Sequence, residues 1–124
     1  MSKTIMIIDD SATMLMSLRN TLQVAGFGVV SASDGVQALD QLKKTPKPDL
    51  IITDINMPNM GGIEFIGKAR ATTGFRFTPI LALTTESQQS RRDEAKKQGA
   101  TGWLVKPVQG GDLLKVIRQV LPGA

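Results

Sequence analysis

The chain has 124 residues, 41% apolar and 21% charged, the balance of one domain large enough to bury one core. It contains no cysteine and no histidine, which excludes disulfides, thiolate metal sites, cysteine nucleophiles, serine-histidine triads, histidine metal ligands and phosphohistidine formed on the chain itself. The formal charge of +4 is spread over several helical segments without interleaved aromatics, so it predicts a solvated basic surface and no nucleic-acid interface.

In chain order, short apolar runs alternate with longer amphipathic ones. Thr4 to Ile8, Phe27 to Ala32, Leu50 to Thr53, Ile80 to Leu83 and Gly102 to Val105 read as five buried strands. The first helix is expected from Ser11 to Ala25, with Leu15, Leu18 and Leu22 at helical spacing and a stop at Gly26. Further helices are expected near Gly35 to Lys44, Gly62 to Ala71, Gln88 to Gln98 and Asp112 to Leu121, with Pro48 and Pro79 opening the strands that follow two of them. The pattern is (βα)5, which implies an α/β, doubly wound parallel sheet covered on both faces. The expected organisation is a single domain over residues 1–124. No apolar run approaches membrane-spanning length and the N-terminus runs directly into a strand, so a cytoplasmic protein is expected.

The fourth helix is unusual in offering only Ala95 as an apolar anchor. An Asp93–Lys97 pair at i,i+4 is expected on it, worth about 0.2 to 0.5 kcal/mol and no substitute for a buried stripe. Low local stability follows, and a plain surface helix and a mobile, signal-reading one are both open readings.

Four strands end in residues that can do chemistry: Asp9-Asp10, Asp54, Thr84 and Lys106. In an open α/β sheet these ends line the crevice where ligands bind. Three clustered carboxylates cannot all remain ionised unaided, so their pKa values rise or a cation neutralises them. An all-oxygen set suits Mg²⁺. Asp54 follows a very apolar run, where a carboxylate can act as a nucleophile toward phosphorus. Lys106 supplies a compact positive charge, Thr84 a short hydroxyl donor, and Asn56 a backbone carbonyl for the metal. The alternative for Asp9-Asp10 is helix capping.

Ile7-Ile8-Asp9-Asp10, Asp54-Ile55-Asn56-Met57-Pro58 with Gly62, Leu83-Thr84-Thr85-Glu86, and Gly99 through Val105 with Lys106-Pro107 together resemble the bacterial response regulator receiver family across the whole chain. The resemblance implies strand order 2-1-3-4-5, an order given for flavodoxin and CheY. It implies Asp54 as phosphoryl acceptor, with Mg²⁺ held by Asp9, Asp10, Asp54 and the Asn56 carbonyl, Asp9 through water. It also implies that Lys106 pairs with a phosphoryl oxygen and that the Lys106-Pro107 bond is cis. Thr84 and Trp103 fall at the family's switch positions, Trp103 having core filling as its alternative role, and Thr85, Glu86 and Pro107 are supporting residues.

Within the family the chain looks most like the CheY-like single-domain chemotaxis regulators. That implies a monomeric phosphoacceptor switch and not an enzyme acting on a separate substrate. The implied phosphodonor is a chemotaxis histidine kinase, with a flagellar motor switch protein as output partner and a phosphatase as a further partner. Neither a membrane nor nucleic acid is expected to bind. Trp103 stands where tyrosine or phenylalanine is usual, Gly61 where an acid is common, and the fourth helix lacks exposed apolar residues. A phosphate sink or relay receiver is therefore the second reading. A haloacid dehalogenase-type phosphatase would need two acids separated by one residue, whereas Asp9 and Asp10 are adjacent. A nucleotide-binding loop would need glycine where Ser11-Ala12-Thr13 stands.

Overall fold

The computed structural model describes residues 3–44, 47–72, 74–85 and 89–121. Ten elements alternate strictly: β1 (Thr4–Ile8), α1 (Ala12–Val24), β2 (Gly28–Ala32), α2 (Gly35–Lys44), β3 (Leu50–Asp54), α3 (Gly62–Ala71), β4 (Ile80–Thr84), α4 (Gln89–Gln98), β5 (Gly102–Val105) and α5 (Gly110–Val120). All strand pairs are parallel and the order is β2-β1-β3-β4-β5. This is the α/β architecture expected from the alternation of apolar runs.

The two-residue period of each strand divides the core between the faces. Met6, Ile8, Ile51, Ile80 and Ala82 pack with Ala38, Leu42, Phe65, Ile66 and Ala95, so α2, α3 and α4 cover one face. Ile5, Ile7, Leu50, Ile52, Leu81 and Leu83 pack with Leu18, Leu22, Leu113 and Ile117, so α1 and α5 cover the other. The apolar runs therefore lack polar alternation because both strand faces are buried.

Helix α1 begins one residue later than expected, with the Ser11 side chain as N-cap accepting a hydrogen bond from Met14 N–H at 3.2 Å. It stops at Gly26, where Gly26 N–H donates to the Gln23 carbonyl and Phe27 N–H to that of Leu22. Several boundaries move. The strands β3 and β4 each run one residue further, to Asp54 and Thr84, so both chemical side chains sit within the ladder. Helix α5 starts at Gly110, earlier than expected, because Leu113 N–H closes a first turn onto the Gln109 carbonyl through two glycines that are weak helix formers.

Ala95 is the one buried residue of α4. The expected Asp93–Lys97 pair does not form. Asp93 instead accepts from Gln89 Nε2 at 3.2 Å, and Arg91 pairs with Glu94 at 3.6 Å. Exposed side chains choose among partners that differ by tenths of a kcal/mol, and spacing alone does not settle the choice. The C-terminal end of α4 is held: Arg70 donates from Nε and Nη2 to the Gly99 carbonyl at 3.0 and 2.8 Å, and from Nη1 to the Phe75 carbonyl at 2.8 Å. Burial of this guanidinium lowers its pKa. Amides of α4 are expected to exchange with solvent at least roughly tenfold faster than those of β1 and β3, measured by hydrogen exchange with NMR detection.

Candidate functional site

The C-terminal ends of β1, β3, β4 and β5 are neighbours in the sheet, so Asp9, Asp54, Thr84 and Lys106 converge on one edge. Asp9 continues β1 by donating its N–H to the Ala32 carbonyl at 3.2 Å, and its Oδ1 accepts from Ser11 N–H at 2.9 Å. Its carboxylate is 1% exposed, whereas Asp10 lies on the solvent side of the turn. The capping role falls to Ser11, which leaves the acid pair for the crevice. One carboxylate oxygen from each of Asp9, Asp10 and Asp54 lies within 4.8 Å of the others.

Asp54 Oδ1 accepts from Ile55 N–H at 2.8 Å and faces Lys106 Nζ at 3.1 Å. The same ammonium reaches Asp9 Oδ2 at 3.4 Å. Burial would lower the Lys106 pKa, but the hydrogen bond and charge of Asp54, with the charge of Asp9, outweigh it and raise the value above 10.5. Asp9 moves up from the ordinary carboxylate value. Burial is the largest cause and the negative charge of Asp54 adds to it, against lowering by Ser11 N–H and Lys106. Lys106 thus pairs with two members of a three-acid cluster, and a hard divalent ion fits this all-oxygen set.

The lysine shift fixes a sign. Because the folded state raises the Lys106 pKa, the ion pairs contribute stability that is fully present below the unfolded value near 10.5 and is lost as pH climbs through the higher folded value. Urea unfolding across that alkaline window is expected to show the loss in the wild type and a smaller one in Lys106→Met.

Asn56 lies exposed in the β3–α3 loop, two residues beyond Asp54. Gly62 shapes the loop's return: a Cβ there would overlap the Asp54 carbonyl oxygen, so α3 begins against the backbone of the site only because position 62 has no side chain. Gly62→Ala is expected to destabilise the fold by about 1 to 3 kcal/mol, read as a lower urea midpoint.

Thr84 is fully buried, and its Oγ1 has no hydrogen-bond partner among the described residues. Lys106 N–H donates to the Thr84 carbonyl at 2.7 Å, tying the two strand ends together. Trp103 does not fill the core: it is 44% exposed, with the Arg92 guanidinium 5.4 Å from its ring centroid. A cavity of about 80 Å³ lies between α4 and β5, lined by Ala82, Ala95, Ala100, Gly102, Arg92 and Trp103 among others. Thr85 is exposed just beyond β4, Pro107 follows a cis Lys106–Pro107 bond, and Glu86 lies outside the described residues.

Sequence reasoning missed Asp34 and Asn59. Asp34 Oδ1 accepts from Gln37 N–H at 2.8 Å and its Oδ2 accepts from Asn59 Nδ2 at 2.9 Å. The Asp34-Gly35-Val36-Gln37 spacing carries a helix-start signal that would have found the cap, though not its second partner.

The response regulator receiver domain model matches residues 5–118. The chemotaxis protein CheY homolog of Campylobacter jejuni is 36% identical over 118 residues, covering 94% of this chain and 91% of that protein. Chemotaxis protein CheY1 of Helicobacter pylori is 36% identical over 104 residues, covering 83% and 84%. The solved structure of the chemotaxis response regulator CheY4 of Vibrio cholerae is 43% identical with a TM-score of 0.92, covering 98% of this chain and 100% of that one. With the sheet order, the converging strand ends and these relatives in agreement, the chain belongs to the response regulator receiver family, among its CheY-like chemotaxis members.

Proposed function

We propose that Asp54 accepts a phosphoryl group from the phosphohistidine of a partner kinase and that Thr84 and Trp103 report the event. The Asp54 carboxylate forms the new O–P bond while the donor's P–N bond breaks and its electron pair leaves with the imidazole. Lys106, already 3.1 Å from Asp54, is placed to follow the charge onto a phosphoryl oxygen. Asp9, Asp10, Asp54 and the Asn56 carbonyl would hold Mg²⁺, which when bound supplies neutralisation of the transferring group's charge. The observation that carries the reading is the buried, unpartnered Thr84 hydroxyl at the strand end beside Asp54: a donor without an acceptor is costly, and a phosphoryl oxygen would satisfy it.

The switch acts in cytoplasmic chemotaxis signalling, with a motor switch protein as receiver of the signal, supported by the CheY-named relatives. The polar surface of α4 favours a second reading, a phosphate sink or relay receiver without a motor partner, since its one apolar anchor is buried. Beryllofluoride with Mg²⁺ tests the switch. It is expected to change Trp103 fluorescence and to shift the amide resonances of Thr84 and α4, and an unresponsive wild-type protein would contradict the reading. A pull-down comparing that activated form with the resting one against kinase and motor components separates the two outputs.

A further inference from the structure

We propose that Asp34 is a positioning residue for the phosphorylation site, acting through Asn59 to hold the β3–α3 loop that presents the Asn56 carbonyl. The proposal rests on the metal-site reading above. The loop's first end is fixed by Ile55, which is 1% exposed, donates its N–H to Asp54 Oδ1 and accepts from Gly62 N–H at 2.8 Å. Its far end is fixed by a different part of the chain. Asn59 Nδ2 donates to Asp34 Oδ2 at 2.9 Å, and Gly35 N–H donates to the Met60 carbonyl at 3.1 Å. The two loops touch so closely that a Cβ on Gly35 would lie 2.8 Å from Met60 Cγ and 2.9 Å from its carbonyl oxygen. Asn56 to Pro58 are therefore strung between two anchors. Releasing the Asn59 tie leaves the far end of the loop held by the Gly35–Met60 hydrogen bond, without the side-chain clamp.

Two further observations suit this role. Asp34 is 6% exposed, and its pKa is lowered, first by Gln37 N–H and then by Asn59, so the carboxylate stays an acceptor at neutral pH. Asn59 has φ of 66°, a left-handed conformation that asparagine tolerates better than most residues. The side chain that bonds Asp34 and the backbone that turns the loop are thus two demands met by one residue.

Asp34 also caps α2, so the informative variants lie at the other partner. Asn59→Gly deletes the tie, keeps the cap and adopts positive φ without strain. It is expected to weaken Mg²⁺ binding, measured by isothermal titration calorimetry, by roughly tenfold, the low end of what outer-shell partners contribute, with a melting temperature lowered by less than about 4 °C. Asn59→Asp sets two carboxylates against each other and is expected to weaken binding further. Asp34→Asn retains the cap and can pair amide to amide with Asn59, so it is expected to stay within about twofold of wild type, a rescue by conservative substitution. Asn59→Gly binding Mg²⁺ as wild type does, or losing melting temperature with affinity intact, would overturn the positioning role. A wild type that binds no Mg²⁺ fails differently: it overturns the metal-site reading and the positioning role together.

Discussion

Asp54→Asn is expected to remain folded yet take up phosphoryl groups from acetyl phosphate at least about a thousandfold more slowly than wild type, roughly 4 kcal/mol in barrier. The substitution is nearly isosteric, and the amide oxygen can still accept from Ile55 N–H as Oδ1 does at 2.8 Å. What is lost is the anionic oxygen. A neutral amide is a poor nucleophile toward phosphorus, and it no longer attracts Lys106, which would be left with Asp9 at 3.4 Å as its acidic contact. Removing one of the three clustered acids also weakens the all-oxygen metal set. Quantifying the phosphorylated fraction by intact mass, with and without Mg²⁺, checks the expectation. Circular dichroism on the same sample confirms that the loss is chemical.

Asp9→Asn is expected to move stability and function in opposite directions. The upward shift of the Asp9 pKa already weighs burial and Asp54 repulsion against Ser11 N–H and Lys106, and the unfavourable side prevails. An acid whose folded pKa is raised costs the folded state stability in full above that folded value, and the cost vanishes as pH falls below the unfolded value. At neutral pH the asparagine removes it, so the melting temperature is expected to rise. The same change removes a metal acid, and Mg²⁺-dependent phosphorylation is expected to fall at least about a hundredfold. Thermal melts at pH 7 and at pH 3 separate the contributions: the advantage of Asp9→Asn should shrink at the lower pH. A wild-type-like melt at both would show that the acidic cluster carries no electrostatic cost.

The order of elements was legible because each side of the pattern has a simple cause. Strands buried on both faces read as unbroken runs such as Ile51-Ile52, and α1 keeps Leu18 and Leu22 at one helical stripe with Gly26 after it. The convergence of the candidate residues was legible because they stand at the ends of four strands, which the order β1-β3-β4-β5 brings side by side. Ties between distant loops were not legible. Asp34 and Asn59 stand 25 positions apart, and Arg70 and Gly99 stand 29 apart, and neither pair follows a helical or strand period. Trp103 exposes a different gap: an aromatic in a strand reads equally as core or surface, and its place here depends on the Arg92 guanidinium and on the alanines that leave space behind it. The Asp93 partner was misread for the opposite reason, since several neighbours on an exposed helix are nearly equivalent.

Phosphorylation at Asp54 with a requirement for Mg²⁺ can be read directly from the protein. The most direct measurement is site mapping of the wild-type protein after incubation with acetyl phosphate, in Mg²⁺ and in chelator. One phosphoryl group is expected, on the peptide carrying Asp54, formed in Mg²⁺ and absent in chelator. A modification on another residue, or equal modification without the metal, would contradict it.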